Sequence, residues 1–205
     1  MAIMGIKIDN LLISIILTIW GVNLMAAESA PYFKYVDEIV NDFEREMYKD
    51  YGIVCIGSGG RQATCVETIE LVFWVYQRGT TEQARELFVK SKTRLAEKVN
   101  AHAKIRPFLK KSPFTSEEAK ISLSFRKNDG SRYLDESVAL VCSSRGGNIA
   151  YERAELQTYE SPGLQIIDGP FIPGKTDKKE VLVNILTEPY EEAVRIVESK
   201  KRLEK

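Results

Sequence analysis

The chain has 205 residues, of which 44% are hydrophobic and 28% charged, a length and balance suited to one ordinary globular domain. That composition excludes a disordered tail, a collagen-like repeat and a multi-span membrane protein. Lys+Arg and Asp+Glu stand at 29 each, so no net field draws nucleic acid or acidic membranes; three cysteines are too few for a disulfide-dense scaffold, and one histidine excludes a His-cluster metal site.

The first feature in chain order is an address. Leu11 to Met25 reads LLISIILTIWGVNLM, an apolar run without a charge inside it. A membrane-spanning helix needs about 20 such residues, whereas the core of a signal peptide needs about 7 to 15. Lys7, offset by Asp9, precedes the run, and the small residues Ala26, Ala27, Ser29 and Ala30 follow it. Residues 1–27 therefore read as a cleaved signal peptide in preference to a short uncleaved anchor. Residues 28–205 read as a single domain that is exported, periplasmic or secreted. A membrane is met only through the N-terminal segment, if that segment is retained.

Phe33, Val36, Val40, Phe43 and Met47 recur at steps of three and four and predict a helix from about Pro31 to just before Gly52. Ile53 to Ile56 predicts a short buried strand, Gly57-Ser58-Gly59-Gly60 a tight turn, and Val66 to Tyr76 a strand rich in β-branched and aromatic residues. Gly79 interrupts the pattern. Thr80 to Gln83 then has the T-x-x-Q form of a capping box, and the helix it opens buries Ala84, Leu87, Phe88, Ser91, Leu95, Val99 and His102 before Pro107 ends it.

From Ser116 the period changes to two: Ile121, Leu123 and Phe125 alternate with Ser122, Ser124 and Arg126. Asn128 to Ser131 is a turn cluster, and Val138 to Ser143 is the next strand. Gly146 and Gly147 return the chain into Ile149 to Gln157. A two-residue loop there would set Leu140 against Arg153, whereas a three-residue loop that includes Asn148 sets Leu140 against Ala154 and Val138 against Leu156. The second arrangement makes one apolar core face and is preferred. Pro162 to Gly174 reads as a loop with an edge strand at Leu164-Gln165-Ile166-Ile167. Asp177 to Glu180 looks like a second helix start, Val181 to Leu186 suits helix or strand, and Pro189 opens a final helix to about Leu203. Helices mixed with runs of strands predict an α+β fold, a mostly antiparallel sheet packed against helices, in a single domain.

Few groupings point to chemistry. The glycines at 57–60 lack both G-x-G-x-x-G and G-K-[ST], so they serve a turn rather than a phosphate loop. A hairpin centred on Gly60 would place Cys55 opposite Cys65, a candidate disulfide in an oxidising compartment. Cys142 falls on the expected core face and reads as an inert thiol. His102 stands near the end of the long helix and suits packing or capping better than general-base work. Ser143-Ser144, Ser58 and Ser161 lie outside any G-x-S-x-G elbow. Glu152 with Glu155, and Asp135 with Glu136, are carboxylate pairs best read as solvated. Asp129-Gly130 lacks the rest of a calcium loop. Lys104, Arg106, Lys110 and Lys111 around Phe108 read as a solvated loop after a helix end. No catalytic, cofactor or metal residue is assigned. On the hairpin, the face opposite the expected core would show Val141, Ser143, Tyr151, Arg153 and Glu155, and Tyr151, Arg153 and Glu155 are the candidate interaction surface.

The stretch ARELFVKSKTRLAEKVNAHAKIRPFLKKSPF (84–114), followed by ISLSFRK and SVALVCSSRGGNIAYER, resembles uncharacterised exported proteins of intracellular bacteria. The shared cue is a long helix closing in I-R-P-[FY]-L, then P-F-T and a hairpin, over about half the chain. The resemblance implies export and carries no activity, cofactor or site residue. The expected function is that of a non-enzymatic exported domain binding a protein, peptide or envelope component through its sheet, without a cofactor and without nucleic acid. The alternative is a small exported hydrolase with a site built from the loops at Gly57–Gly60 and Arg145–Asn148.

Overall fold

The first helix, α1 (Tyr32–Tyr51), buries Val36, Val40, Phe43 and Met47 along the expected stripe, with Ile39 beside them, and closes on Gly52 in the left-handed region at φ 66°. This is a computed structural model in which residues 30–160, 164–165, 171–172 and 174–203 are described. The apolar run at 11–25 and most of the loop at 162–174 lie outside the described residues. Among the described residues no helix is long and apolar enough to cross a membrane.

Strand β1 (Val54–Gly59) pairs antiparallel with β2 (Ile69–Val75). Helix α2 (Thr81–Ala101) then carries the chain over to β3 (Ala119–Phe125), which lies parallel to β2, as a crossover connection allows. Thr80 accepts a hydrogen bond from the Gln83 N–H while Gln83 accepts one from the Thr80 N–H, so the expected capping box forms and α2 ends ahead of Pro107.

Strands β4 (Leu140–Ser143), β5 (Asn148–Glu160) and β8 (Thr176–Pro189) follow, each antiparallel to its neighbour, with a small separate pair β6 (Leu164–Gln165) and β7 (Phe171–Ile172) between the last two. The main sheet runs β1-β2-β3-β4-β5-β8. Helix α3 (Tyr190–Leu203) closes the chain. The architecture is α+β with a mostly antiparallel sheet. The segment that suited helix or strand is β8, because its residues 176–189 complete the ladder along the whole of β5.

One face of the sheet makes the core. Ile69, Leu71, Phe73 and Val75 of β2 stand in register with Ala119, Ile121, Leu123 and Phe125 of β3, all at 2% exposure or less. Phe43 of α1 meets Phe73 edge-on at 6.1 Å, and α2 adds Ala84, Phe88, Leu95 and Val99. Each large side chain removed from water here contributes about 1.5–3 kcal/mol. Arg94–Asp50 (2.6 Å) and Lys98–Glu46 (2.7 Å) tie α2 to α1 across the surface. The opposite face is half-covered: Arg126 lies over the Trp74 ring at 4.8 Å and donates to Ser124 Oγ at 3.2 Å.

Two expectations about pairing are corrected. Gly57, Ser58 and Gly59 extend β1 rather than turning, and the first hairpin is not centred on Gly60. Instead the connection after Gly59 folds on itself, with the Arg61 N–H donating to Thr68 Oγ1 and the Glu67 N–H to the Arg61 carbonyl. Val66 exchanges backbone bonds with Phe108 and Lys110. Cys65 never enters the ladder, Cys55 stands opposite Phe73, and Cys55, Cys65 and Cys142 are free thiols. The β4–β5 loop does hold three residues, but they are Arg145, Gly146 and Gly147, closed by the Ser144 N–H on the Asn148 carbonyl. Leu140 therefore faces Glu152, not Ala154.

The core face of that hairpin is only partly the one expected: Val138 and Ala154 are buried, but Leu140 is half-buried and Leu156 exposed, and a bulge after Tyr151 breaks the alternation along β5. Val141 and Tyr151 are buried completely, on the side that meets α2. A tyrosine can sit there because its polar end is satisfied: its hydroxyl donates to Glu188, which in turn binds Arg85 through two bonds of 2.7 and 3.1 Å. Burial and the Glu188 carboxylate together push the Tyr151 hydroxyl well above its ordinary pKa. Tyr151 is thus not part of a surface, and Arg153 and Glu155 pair with one another at 2.6 Å, Arg153 also binding Glu136.

Candidate functional site

At the end of the sheet where β2 and β3 begin and β4 finishes, the chain leaves an open cleft of about 1250 Å³. Lys92 reaches it from α2, the Ser143–Asn148 loop forms one wall, the 110–120 segment and the connection carrying Arg61, Glu67 and Thr68 form others, and the start of α3 closes the far side. Five cations and four carboxylates line it: Arg61, Lys92, Lys110, Lys111 and Lys120 against Glu67, Glu117, Glu118 and Glu191.

The pairing of these charges is uneven. Glu67 is taken by Lys110 at 2.9 Å and by Arg61 at 3.7 Å. Lys111 lies 3.4 Å from both Glu117 and Glu118. Burial pushes the Glu118 carboxyl up, but the hydroxyl and N–H of Thr115, with Lys111 beside them, outweigh it and hold Glu118 below the usual carboxylate range. Among the described residues, Lys92 and Lys120 have no carboxylate within 4.0 Å. Glu191, in the first turn of α3, sits where the helix dipole already favours its charge.

Lys92 is the unusual member. It follows Phe88 by one turn of α2 and precedes Leu95, so the helix carries it to the edge of the buried stripe, and only 5% of the residue is exposed. Its Nζ donates to Ser143 Oγ at 3.3 Å and lies over the Tyr190 ring at 4.6 Å and the Phe88 ring at 5.5 Å. Ring faces stabilise an ammonium by about 0.5–2 kcal/mol, less than the several kcal/mol that burying an unpaired charge costs. Burial, assisted by the charge of Lys120, accordingly drops the Lys92 pKa to about 8.

The residues singled out from sequence are scattered. Ser143 and Ser144 line the cleft, as does the Gly146-Gly147-Asn148 loop, while Gly57–Gly60 do not. His102 is the C-cap residue of α2, near Glu38 at 3.3 Å and beside the Tyr35 ring, outside the cleft. Lys110 and Lys111 line the cleft, whereas Arg106 folds back onto the Asn100 carbonyl and Lys104 onto the Tyr35 ring. Cys55 is driven up to about 12 by burial and by Glu44, and Cys142 is raised by burial and Glu152, so neither is a ready thiolate. No cluster of His, Cys, Asp and Glu among the described residues could hold a metal ion. Lys92 was not singled out from sequence; its place one turn after Phe88 was the signal available. Set against protein-family models, curated proteins and solved structures, the chain matches none.

Proposed function

We propose that the protein is a binding domain acting outside the cytoplasm, and that its recognition site is this cleft, which takes a ligand or partner segment by an anionic group such as a carboxylate or phosphate. The observation behind this reading is Lys92: a residue only 5% exposed, with no carboxylate within 4.0 Å among the described residues and only the more distant charges of Glu117 and Glu118 to offset it, lining a cavity beside a second cation, Lys120, that likewise lacks a close carboxylate. Buried charges are stable when paired, and an incoming anion supplies the missing partner. The remaining cations of the rim are already engaged by Glu67, Glu117 and Glu118, which makes the pocket selective in place rather than broadly basic. Export rests on the apolar run at 11–25, and mass spectrometry of the mature N-terminus tests it directly.

Titration calorimetry of the purified protein with inorganic phosphate, sulfate and acetate tests the binding. At least one anion is expected to bind, and Lys92→Met, which keeps the stem and removes the charge, is expected to weaken it by tenfold or more. Wild-type protein that binds none of the three, or a Lys92→Met variant that binds equally well, would refute the reading.

A further inference from the structure

Ser143 is the last residue of β4, and its hydroxyl projects on the helix side, into the cleft, where it meets Lys92 at 3.3 Å. We propose that Ser143 is a nucleophile, Lys92 its general base, and that the cleft hydrolyses an ester whose acyl portion carries an anionic group held at Lys120. This deepens the binding reading and rests on it.

Both groups stand on rigid supports, as a nucleophile and its base require. Ser143 is fixed by its pairing with Ile149, and Lys92 is fixed between the Phe88 and Tyr190 rings. A serine activated by a lysine needs no imidazole, and the chain's one histidine lies outside the cleft. An amine that titrates near pH 8 is neutral in a useful fraction of molecules at neutral to mildly alkaline pH, as a base must be.

The steps balance. Neutral Lys92 Nζ takes the Ser143 proton as Oγ bonds to the ester carbonyl carbon. The tetrahedral adduct collapses, the bond to the alcohol oxygen breaks, and Lys92 returns the proton to that departing oxygen. Water then attacks the acyl-Ser143 carbon while giving a proton to Lys92. The carbon–Oγ bond breaks and Ser143 regains its proton, so that ester and water become acid and alcohol.

The test is labelling of the purified protein with a fluorophosphonate probe, read by intact mass and peptide mapping, with phosphate calorimetry on the same sample. One adduct on Ser143 is expected, forming at a rate that rises with pH through about 8, absent in Ser143→Ala and at least tenfold slower in Lys92→Met. Circular dichroism establishes that both variants are folded. Absence of an adduct on Ser143 at pH 9, or one whose rate ignores Lys92, overturns the inference. If phosphate still binds in that case, the binding reading survives alone; if it does not, both fall together.

Discussion

Lys92 carries a measurable energetic signature. Its pKa is 10.5 in the unfolded chain and about 8 in the fold, so between those values the unfolded state holds a proton that the folded state has released. Stability from this group therefore rises with pH across that window, and its full burden is felt below pH 8. The shift corresponds to about 3 kcal/mol. Lys92→Met is expected to be more stable than wild type by up to that amount at pH 7, with the gap closing towards pH 10.5. Urea unfolding of the pair at a series of pH values checks this, and a gap independent of pH would contradict it. A second signature belongs to Cys55: with its thiol at about 12, it is expected to react with iodoacetamide at pH 8 at least tenfold more slowly than a small-molecule thiol. The buried Arg85–Glu188–Tyr151 group is structural. Glu188→Gln strands the Arg85 guanidinium, which is 12% exposed, and is expected to cost about 3 kcal/mol in denaturant unfolding.

Elements were more legible in the sequence than their pairing. The stripes of α1 and α2 and the cap at Thr80 are local patterns, and each formed where its residues stood. Thr80→Ala is expected to cost about 1 kcal/mol, read as a lower thermal midpoint. The β4–β5 hairpin shows the limit of local reading. Choosing its core face by apolarity placed Val138 and Ala154 correctly but not Leu140 or Leu156, and Tyr151 took the interior because Glu188, far along the chain, satisfies its hydroxyl. The same holds for the first hairpin: Val66, next to Cys65, bonds the backbone of Phe108 and Lys110 instead of β1, which no nearby residue announces. Gly60 is a sharper case. Its φ is 148° and a Cβ would stand 2.1 Å from the Thr68 carbonyl oxygen, so Gly60→Ala is expected to disrupt this connection, seen as loss of hydrogen-exchange protection at Thr68.

At the scale of the molecule, the cleft exists because β2, β3, β4 and α3 place their ends together, and none of its walls is continuous in sequence. That is why Ser143 was visible only as a serine outside any known elbow, and Lys92 only as a lysine on a helix; their meeting at 3.3 Å is a product of the fold. The binding proposal rests on Lys92 as a cation that an anion can pair with, and the hydrolytic one on the same amine in its neutral form, with the substrate's anion on Lys120 instead. The most direct measurement is heteronuclear NMR titration of the Lys92 side chain, assigned against Lys92→Met, with and without phosphate. A midpoint near pH 8 in the free protein, moving upward by a unit or more as phosphate saturates the cleft, is the expected result. A midpoint near 10.5 in the free protein, or one that phosphate leaves unmoved, would contradict it.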